Sequence, residues 1–357
     1  MTAFQIISHV PDFQFYCGEH ELELIDEIMK KQAVINCSFD SWYPRFKRLT
    51  IPSVVLKVPK VFIQYLLTDG VYLPETSQPH SRRANGSATE EESDDETEWD
   101  DEDDSNDPSS PGYKSKKLLE SDEMKQFEQH ISAVIADLGG TVFPKLTWSS
   151  PKDARWIAAN NVLSCQSFYE ICLLFKSSEF ITHDITDPFQ YCDDQNNEDY
   201  PEMTHILVLR EWYAITPSGE FRVFIRDSRV IAISSRHQQY YAHILTDKIR
   251  IVDSIQSFYK RHIKNSYPDS SVVMDLYLPG QDRRPVLVDF NPYCETTDGL
   301  MFTWMELTDQ KFPSNSEEGE LLDGTIFRAI THEGKQWLKA YQSSFSDSLD
   351  LRSVANS

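Results

Sequence analysis

The stretch PVLVDFNPYCETTDG, residues 285–299, is decisive because two polar side chains interrupt an apolar strand within it. Residues 286–288 are apolar and predict a buried strand, and Asp289 and Asn291 follow with one phenylalanine between them. Side chains alternate along a strand, so Asp289 and Asn291 share one face. Pro292 cannot donate to a sheet ladder and ends the strand. Two oxygen-bearing side chains are therefore expected together at a strand end.

A second carboxylate is expected beside this pair. The segment VVMDLYLPG just upstream places Asp275 in another apolar strand, and we expect the two strands to pair as a hairpin across residues 279–284. Magnesium takes oxygen ligands, one or two of them carboxylates, and completes its shell with waters and substrate phosphates. Asp275, Asp289 and Asn291 together favour a magnesium site. The alternative is that they are solvated or cap turns, which is the commoner role for each residue alone.

Composition narrows the classes of function. The 357 residues are 40% hydrophobic and 12% aromatic, so the chain has enough apolar residues for a core. The formal net charge is −23, and thirteen acidic residues lie in the short segment 90–107. Such a chain is a poor candidate for nucleic-acid binding, which requires basic residues, and suits a basic protein partner better.

Targeting and nucleotide motifs are missing from the sequence. The N-terminus has no basic region followed by an apolar run, and no apolar run approaches the roughly 20 residues that span a bilayer. Six scattered cysteines contain no CxxC pair. We therefore expect a reduced cytoplasmic monomer without membrane contact. GxxxxGK[ST], GxGxxG, HExxH and GxSxG are all absent, so a nucleotide would be held by side chains and strand edges.

The order of predicted elements indicates an α+β fold. Residues 37–74 are aromatic-rich and divided by prolines into short extended pieces, and residues 75–117 are expected to be disordered because they are rich in Ser, Pro, Asp and Glu. Apolar residues at helical spacing predict helices over 20–32, 122–140, 167–178, 248–263 and 325–342. Strands are predicted over 142–148, 205–213, 220–226 and 229–236, besides the hairpin.

Three basic residues lie inside apolar strands. Lys145 is in VFPKLTW, Arg222 in EFRVF and Arg236 in SSR. A lysine can serve phosphate as a point charge, and the guanidinium fork of arginine binds phosphate in a bidentate manner. The lysine could equally extend to solvent, and each arginine could pair with an exposed glutamate. Trp212, at the end of ILVLREWY, could lie beside a purine ring or simply leave the core.

Taken together, several motifs resemble one family. CSFDSWYPRF, PKLTWSSPKDARWI, LREWYAITPSGEFRVFI, VMDLYL and VLVDFNP resemble the cell division cycle protein 123 family over nearly the whole chain. The resemblance implies an atypical ATP-grasp-like fold of two lobes, with mixed and antiparallel sheets around a nucleotide site that binds ATP and Mg²⁺. It also implies an assembly factor that binds the gamma subunit of eukaryotic translation initiation factor two and promotes its joining to the alpha subunit.

The resemblance also assigns roles to individual residues. Lys145, Arg222 and Arg236 would face phosphates. Trp148, Ser150 and Ala154 would lie in the segment that covers the nucleotide, with Arg210 and Trp212 at the adenine-side strand. The magnesium ligands would be Asp275, Asp289 and Asn291.

Two questions stay open at this point. An ATP-grasp ligase acting on a carboxylate substrate is the alternative function, and whether the chain is an enzyme is undecided.

In the predicted division, residues 1–74 form an N-terminal lobe, 75–117 an acidic insertion and 118–357 the nucleotide-binding region. The aromatic segment 37–49 could bind the partner, or its aromatic side chains could fill the core of the N-terminal lobe.

Overall fold

The computed structural model describes residues 29–74 and 107–331, apart from short gaps at 159–160, 195, 197–199, 201–202, 238, 281–283, 315 and 317–318. The helices in these residues are α1 (Lys31–Asn36), α2 (Phe39–Phe46), α3 (Lys60–Leu67), α4 (Pro111–Leu119), α5 (Asp122–Asp137), α6 (Phe168–Lys176), α7 (Glu179–Thr186), α8 (Ala242–Thr246), α9 (Lys248–Phe258) and α10 (Trp304–Thr308). The strands are β1 (Ser53–Lys57), β2 (Val142–Lys145), β3 (Ile206–Glu211), β4 (Glu220–Arg226), β5 (Arg229–Ser235), β6 (Val272–Tyr277), β7 (Val286–Asn291), β8 (Glu320–Leu322) and β9 (Thr325–Arg328).

The strands form two sheets, which confirms the predicted α+β class with mixed and antiparallel sheets. The small sheet has the order β1-β3-β2 and is antiparallel. The large sheet has the order β7-β6-β4-β5-β9-β8 and is antiparallel except for the parallel pair β5 and β9. The predicted β6–β7 hairpin is confirmed, and β7 ends at Asn291, directly before Pro292.

Apolar side chains on both faces of β3 place the small sheet between two cores. Leu207 and Leu209 pack with α3, α5 and α6. Ile206 and Val208, on the opposite face, pack into a second core together with residues of the large sheet and α9. A strand buried on both faces has a continuous apolar sequence, as ILVL shows, and its alternation is therefore hidden.

The aromatic N-terminal segment belongs to this second core. Phe39, Trp42 and Phe46 follow helical spacing along α2 and are at most 2% exposed. The Trp42 ring centroid lies 4.6 Å from that of Phe39 and 5.6 Å from that of Phe290 in β7. The expectation of short extended pieces is therefore wrong for α2 and α3, because the spacing of the apolar residues outweighs the breaking effect of proline. Of the two roles considered for these aromatic rings, filling the core is the one observed.

Residues 29–74 are also not a lobe of their own. Strand β1 pairs with β3 along its full length, and the backbone N–H of Leu287 in β7 donates to the carbonyl of Leu49 at 2.8 Å. The predicted boundary at residue 74 therefore falls inside a structure that both sides of the chain build together.

Two further predictions at the edges of the described ranges need correction. Helix α4 begins at Pro111, with the Ser110 hydroxyl accepting from the Tyr113 N–H at 3.1 Å, so ordered structure starts inside the predicted insertion 75–117. The last predicted helix begins instead as strand β9, because its alternating residues pair with β5 and β8.

Most of the predicted helix 20–32 lies outside the described residues. Within the described ranges, no helix is both long enough and apolar enough to cross a membrane.

Candidate functional site

Three charged residues form a row across the large sheet. In the strand register Arg222 of β4 lies opposite Asp275 of β6, and Asp275 lies opposite Asp289 of β7. Directly opposite residues of antiparallel strands share a face and approach closely. The register shifts immediately after Asp275, at a bulge between β6 and β7. Bulges are frequent beside functional sites because they redirect a side chain.

Asp275 is the centre of an ion-pair network. The Nε and Nη2 groups of Arg222 donate to its two carboxylate oxygens at 2.8 Å each. Arg236 Nη1 donates to Oδ2 at 3.1 Å, and Asn291 Nδ2 donates to the same oxygen at 3.2 Å. Burial by itself raises the pKa of Asp275, but the two guanidinium groups outweigh it and hold the pKa well below its usual 3.8. The carboxylate is therefore ionised at neutral pH.

Lys145 reaches the cluster from the small sheet. Its side chain is 2% exposed, and Nζ donates to Asp289 Oδ2 at 2.6 Å. The ammonium also lies 5.5 Å from the centre of the Phe39 ring, over its face. The lysine therefore does not extend to solvent, and it is buried and paired with Asp289. The pair joins β2 of the small sheet to β7 of the large sheet.

We call Lys145, Arg222, Arg236, Asp275, Asp289 and Asn291 the charged cluster. Contacts join these predicted residues in two groups, Lys145 with Asp289 and the other four around Asp275, and the register of β6 and β7 brings the two groups together. Glu220 lies at its edge, where one carboxylate oxygen is 3.5 Å from Arg236 Nε and 3.2 Å from His237 Nε2.

Arg210 lies next to the cluster but is engaged elsewhere. Its guanidinium donates to the carbonyl of Val288 at 2.9 Å and to the Thr50 hydroxyl at 3.0 Å, and it lies 5.5 Å over the Phe39 ring. The side chain is buried, and its Nε has no hydrogen-bond partner among the described residues. The contacts show a cation that ties β3 to the strand carrying Asp289.

The other four predicted residues make no hydrogen bond or ion pair with the cluster in the described part of the chain. Trp148 donates from its indole to the Val34 carbonyl at 2.8 Å. Ser150 is buried in the turn after β2. The Ala154 methyl packs in the small-sheet core, so its backbone is the part that could meet a ligand. Trp212, after β3, is 39% exposed.

Lys152 is a further residue near the cluster that was not among the predicted site residues. Its ammonium lies close enough to Arg236, Asp275, Asp289 and Lys145 for all four to change its pKa. The sequence feature that could have identified Lys152 is its position in the motif PKLTWSSPKDARW, seven residues after Lys145.

The donor set fits a magnesium ion. Asp289 is 22% exposed, and its two oxygens accept from Lys145 and from the Phe290 N–H. The side chain of Asn291 reaches the same cluster, since its amide nitrogen donates to Asp275 Oδ2 at 3.2 Å. The described residues contain no group of three or more His, Cys, Asp or Glu side chains placed to hold a metal. Magnesium does not require one, because it binds through one or two carboxylates together with waters and phosphates.

The fold and the charged cluster together define a class of protein. It is an α+β protein in which two sheets bring basic and acidic side chains into one cluster suited to an anion and a hard cation. A family model described as D123 matches residues 42–348, and the chain belongs to this family.

Relatives and a solved structure agree with this membership. A protein of Xenopus tropicalis named "Translation initiation factor eIF2 assembly protein" is 42% identical over 309 residues, which cover 85% of this chain and 87% of the relative. A Danio rerio protein of the same name is 40% identical, with coverage of 85% and 84%. The structure of Cdc123 from Schizosaccharomyces pombe is 30% identical, covers 84% of this chain and 98% of that chain, and superimposes with a TM-score of 0.63.

Proposed function

We propose that this protein is an assembly factor for translation initiation factor eIF2 that binds ATP with Mg²⁺ in the charged cluster. The assembly role is supported by the names of relatives that match most of the chain. Such a role belongs in the cytoplasm. The gamma subunit of eIF2 is the partner we propose, on the resemblance described above.

The observation that carries the nucleotide proposal is the charge balance of the cluster. Lys145, Lys152, Arg222 and Arg236 face Asp275 and Asp289, with Glu220 at the edge, so positive charge is in excess. A polyphosphate offers acceptors to these donors, and hydrogen bonds between charged groups are the strong ones. A bound Mg²⁺ would neutralise phosphate charge beside Asp275, Asp289 and Asn291.

The chain's own residues divide the work of binding. Arg222 is held rigidly by its two hydrogen bonds to Asp275 and by a third to the carbonyl of Asp298 at 2.6 Å. Arg236 is shared between Asp275 and Glu220, so its guanidinium can turn toward a phosphate. The buried Lys145 holds Asp289 in place through its hydrogen bond to Oδ2. The cluster thus arranges the charges before a ligand arrives, which lowers the ordering cost of binding.

Calorimetry of the full chain with ATP tests the nucleotide proposal. We expect binding in Mg²⁺ that weakens at least tenfold in EDTA. The control is the double variant Lys145→Met with Asp289→Asn, which removes the buried ion pair without leaving one charge alone and should bind ATP much more weakly. If the wild-type protein shows no heat with ATP and Mg²⁺ while remaining folded, the proposal is wrong.

The assembly role needs its own measurement. We expect the protein to bind purified eIF2 gamma subunit and to increase the yield of gamma–alpha complex when both subunits are present. Turnover of ATP is followed in the same samples, since rapid turnover without the gamma subunit would indicate an enzyme. An unchanged yield of complex would contradict the assembly proposal and leave the nucleotide proposal to be judged separately.

A further inference from the structure

A cavity of about 210 Å³ lies beside α9, at one end of the large sheet. Apolar residues from three elements line it, namely Phe221 of β4, Ile251 of α9 and Leu278 directly after β6. We call it the α9 cavity. Phe221 and Arg222 are neighbours in β4, so their side chains lie on opposite faces of the sheet. The α9 cavity is therefore on the face away from the charged cluster and belongs to a different site.

The described chain ends close to this cavity. Strand β9 is parallel to β5, and β4 is antiparallel to both β5 and β6, so β5, β6 and β9 run toward the same end of the sheet. That end carries the start of β4 and the residues after β6, which line the α9 cavity. The ring centroid of Phe327 in β9 lies 6.3 Å from that of Phe221, and Ala329 is buried in the same core. Residues 332–357, which follow the last described residue, Thr331, therefore continue from a point beside the cavity.

The sequence of residues 332–357 contains an apolar face at helical spacing. Trp337, Tyr341 and Phe345 lie four positions apart, with Leu338 beside the first of them. This spacing predicts an amphipathic helix. The apolar face of such a helix is stable only when it is buried against another element. The α9 cavity offers an apolar surface at the point where the described chain ends.

The size of the α9 cavity suits one aromatic side chain. A cavity of about 150 Å³ holds a benzene molecule, so about 210 Å³ leaves room for the larger indole ring. Ser218 and Ser254 also line the cavity, and a hydroxyl group can accept a hydrogen bond from the indole N–H. Six residues of extended chain span about 20 Å, which is enough to carry Trp337 from Thr331 into a cavity at the same end of the sheet.

We propose that the α9 cavity is the docking site of the chain's own C-terminal segment, residues 332–357, with the indole of Trp337 inserted between α9 and the end of β4. The inference goes beyond the proposed function, since it assigns a second binding surface on the face of the large sheet that does not carry the charged cluster. Because the segment is tethered beside the cavity, its effective concentration is high, and a contact of modest affinity is enough to keep it bound.

Tryptic cleavage of the full-length protein tests the docking, because Lys335 and Lys339 flank Trp337. Ser254→Phe places a ring in the cavity, and Ser257→Phe places the same ring on the exposed side of α9 as the matched control. We expect cleavage after Lys339 to be at least fivefold faster in Ser254→Phe and in Trp337→Ala than in the wild type, and within twofold in Ser257→Phe. Circular dichroism melts establish that each variant is folded. An unchanged rate in folded Ser254→Phe overturns the inference.

A second measurement on the wild-type protein does not depend on the folding of a cavity variant. Tryptophan is replaced throughout by 5-fluorotryptophan, and the ¹⁹F signal of Trp337 is assigned as the one that is missing in Trp337→Phe. We expect this signal to be displaced from that of a synthetic peptide of residues 332–357 and to stay displaced on tenfold dilution. A signal at the position of the peptide overturns the inference. A displacement that is lost on dilution shows that the segment of a second copy fills the cavity, which also overturns docking within one chain.

Discussion

At the scale of single residues, Asp275 and Asp289 have different surroundings although they are neighbours in the register. Three side chains donate to Asp275, which is almost completely buried. Asp289 has one side-chain partner, Lys145, and remains 22% exposed. Asp289 is therefore the carboxylate with more room for a metal ion, and Asp275 is the one that orients the arginines.

This difference leads to a prediction for Asp289→Asn. The amide still accepts a hydrogen bond from Lys145 but is a weaker ligand for a hard cation. We expect ATP affinity to fall at least tenfold in Mg²⁺ and to change little in EDTA, measured by calorimetry. The control is Asp253→Asn, an exposed carboxylate on α9, which should have no effect. An equal loss in both buffers would show that Asp289 supports the fold and does not bind the metal.

Trp42 lies in the core, so its substitution is expected to affect the stability of the fold. It is 2% exposed and packs against Phe39, Tyr43 and Phe290. We expect Trp42→Ala to lower the free energy of unfolding by about 3–5 kcal/mol, the usual cost of removing a large buried aromatic side chain. Chemical denaturation measures it, with Lys47→Ala at the exposed end of α2 as the control. A loss below about 1 kcal/mol would contradict the core position.

At the scale of elements, α7 acts on the site without touching it. Asp184 is buried and accepts three hydrogen bonds from the loop after β2. Asp184→Asn replaces one acceptor oxygen by a donor and leaves loop N–H groups without partners, at a cost of about 1–3 kcal/mol. We expect a matching loss of stability in denaturation and a several-fold weaker binding of ATP, because the loop that carries Trp148 and Ser149 is no longer held in place. Asp187→Asn, exposed at the end of the same helix, should change neither quantity.

Helix α10 is held by a separate ion pair with a pH dependence of its own. Glu306 accepts from Arg328 Nη2 at 2.7 Å and from the Thr303 N–H at 2.9 Å, which completes a capping box. Burial alone raises the pKa of Glu306, but the hydrogen bonds from Arg328 and Thr303 outweigh it and lower the pKa below its usual 4.5. Because the unfolded state takes up this proton first, the stabilisation is present above pH 4.5 and is lost as the pH falls through the lower folded pKa.

The corresponding variant is Glu306→Gln. We expect it to cost about 2 kcal/mol at pH 7, because hydrogen bonds to charged groups contribute about 1.5–3 kcal/mol. Its stability should also fall less steeply than that of the wild type between pH 5 and pH 3, by denaturation at each pH. Parallel pH curves for the two proteins would exclude Glu306 as a source of acid sensitivity.

At the scale of the whole molecule, the composition of the acidic segment predicts that the core does not require it. Thirteen of its residues between 90 and 107 are acidic and few are apolar, so we expect it to contribute little to hydrophobic burial. We expect deletion of residues 80–104 to leave the melting temperature within about 2 °C and ATP affinity within twofold. The deletion stops before Asp107 and Ser110 because Ser110 caps α4. A larger loss would show that the acidic segment contacts the folded part.

The sequence by itself determined the features that depend on local pattern. Apolar spacing predicted α5, α6 and α9, alternation and turns predicted β4 and β5, and the interrupted strand at Asp289 and Asn291 predicted a polar site. These signals are local, because the period of a helix or a strand is written in neighbouring residues. The quoted motifs were also enough for the family, which the comparisons confirm.

Only the tertiary structure decided which charges meet and which aromatic side chains are buried. Lys145 and Asp289 are 144 positions apart, and no local pattern links them. Trp42 is buried because β7 brings Phe290 against α2, and the loop after β2 is fixed because Asp184 and Asp153 bond it to α7. Strand register and loop anchoring arise from contacts between distant parts of the chain, so a short stretch of sequence does not contain them.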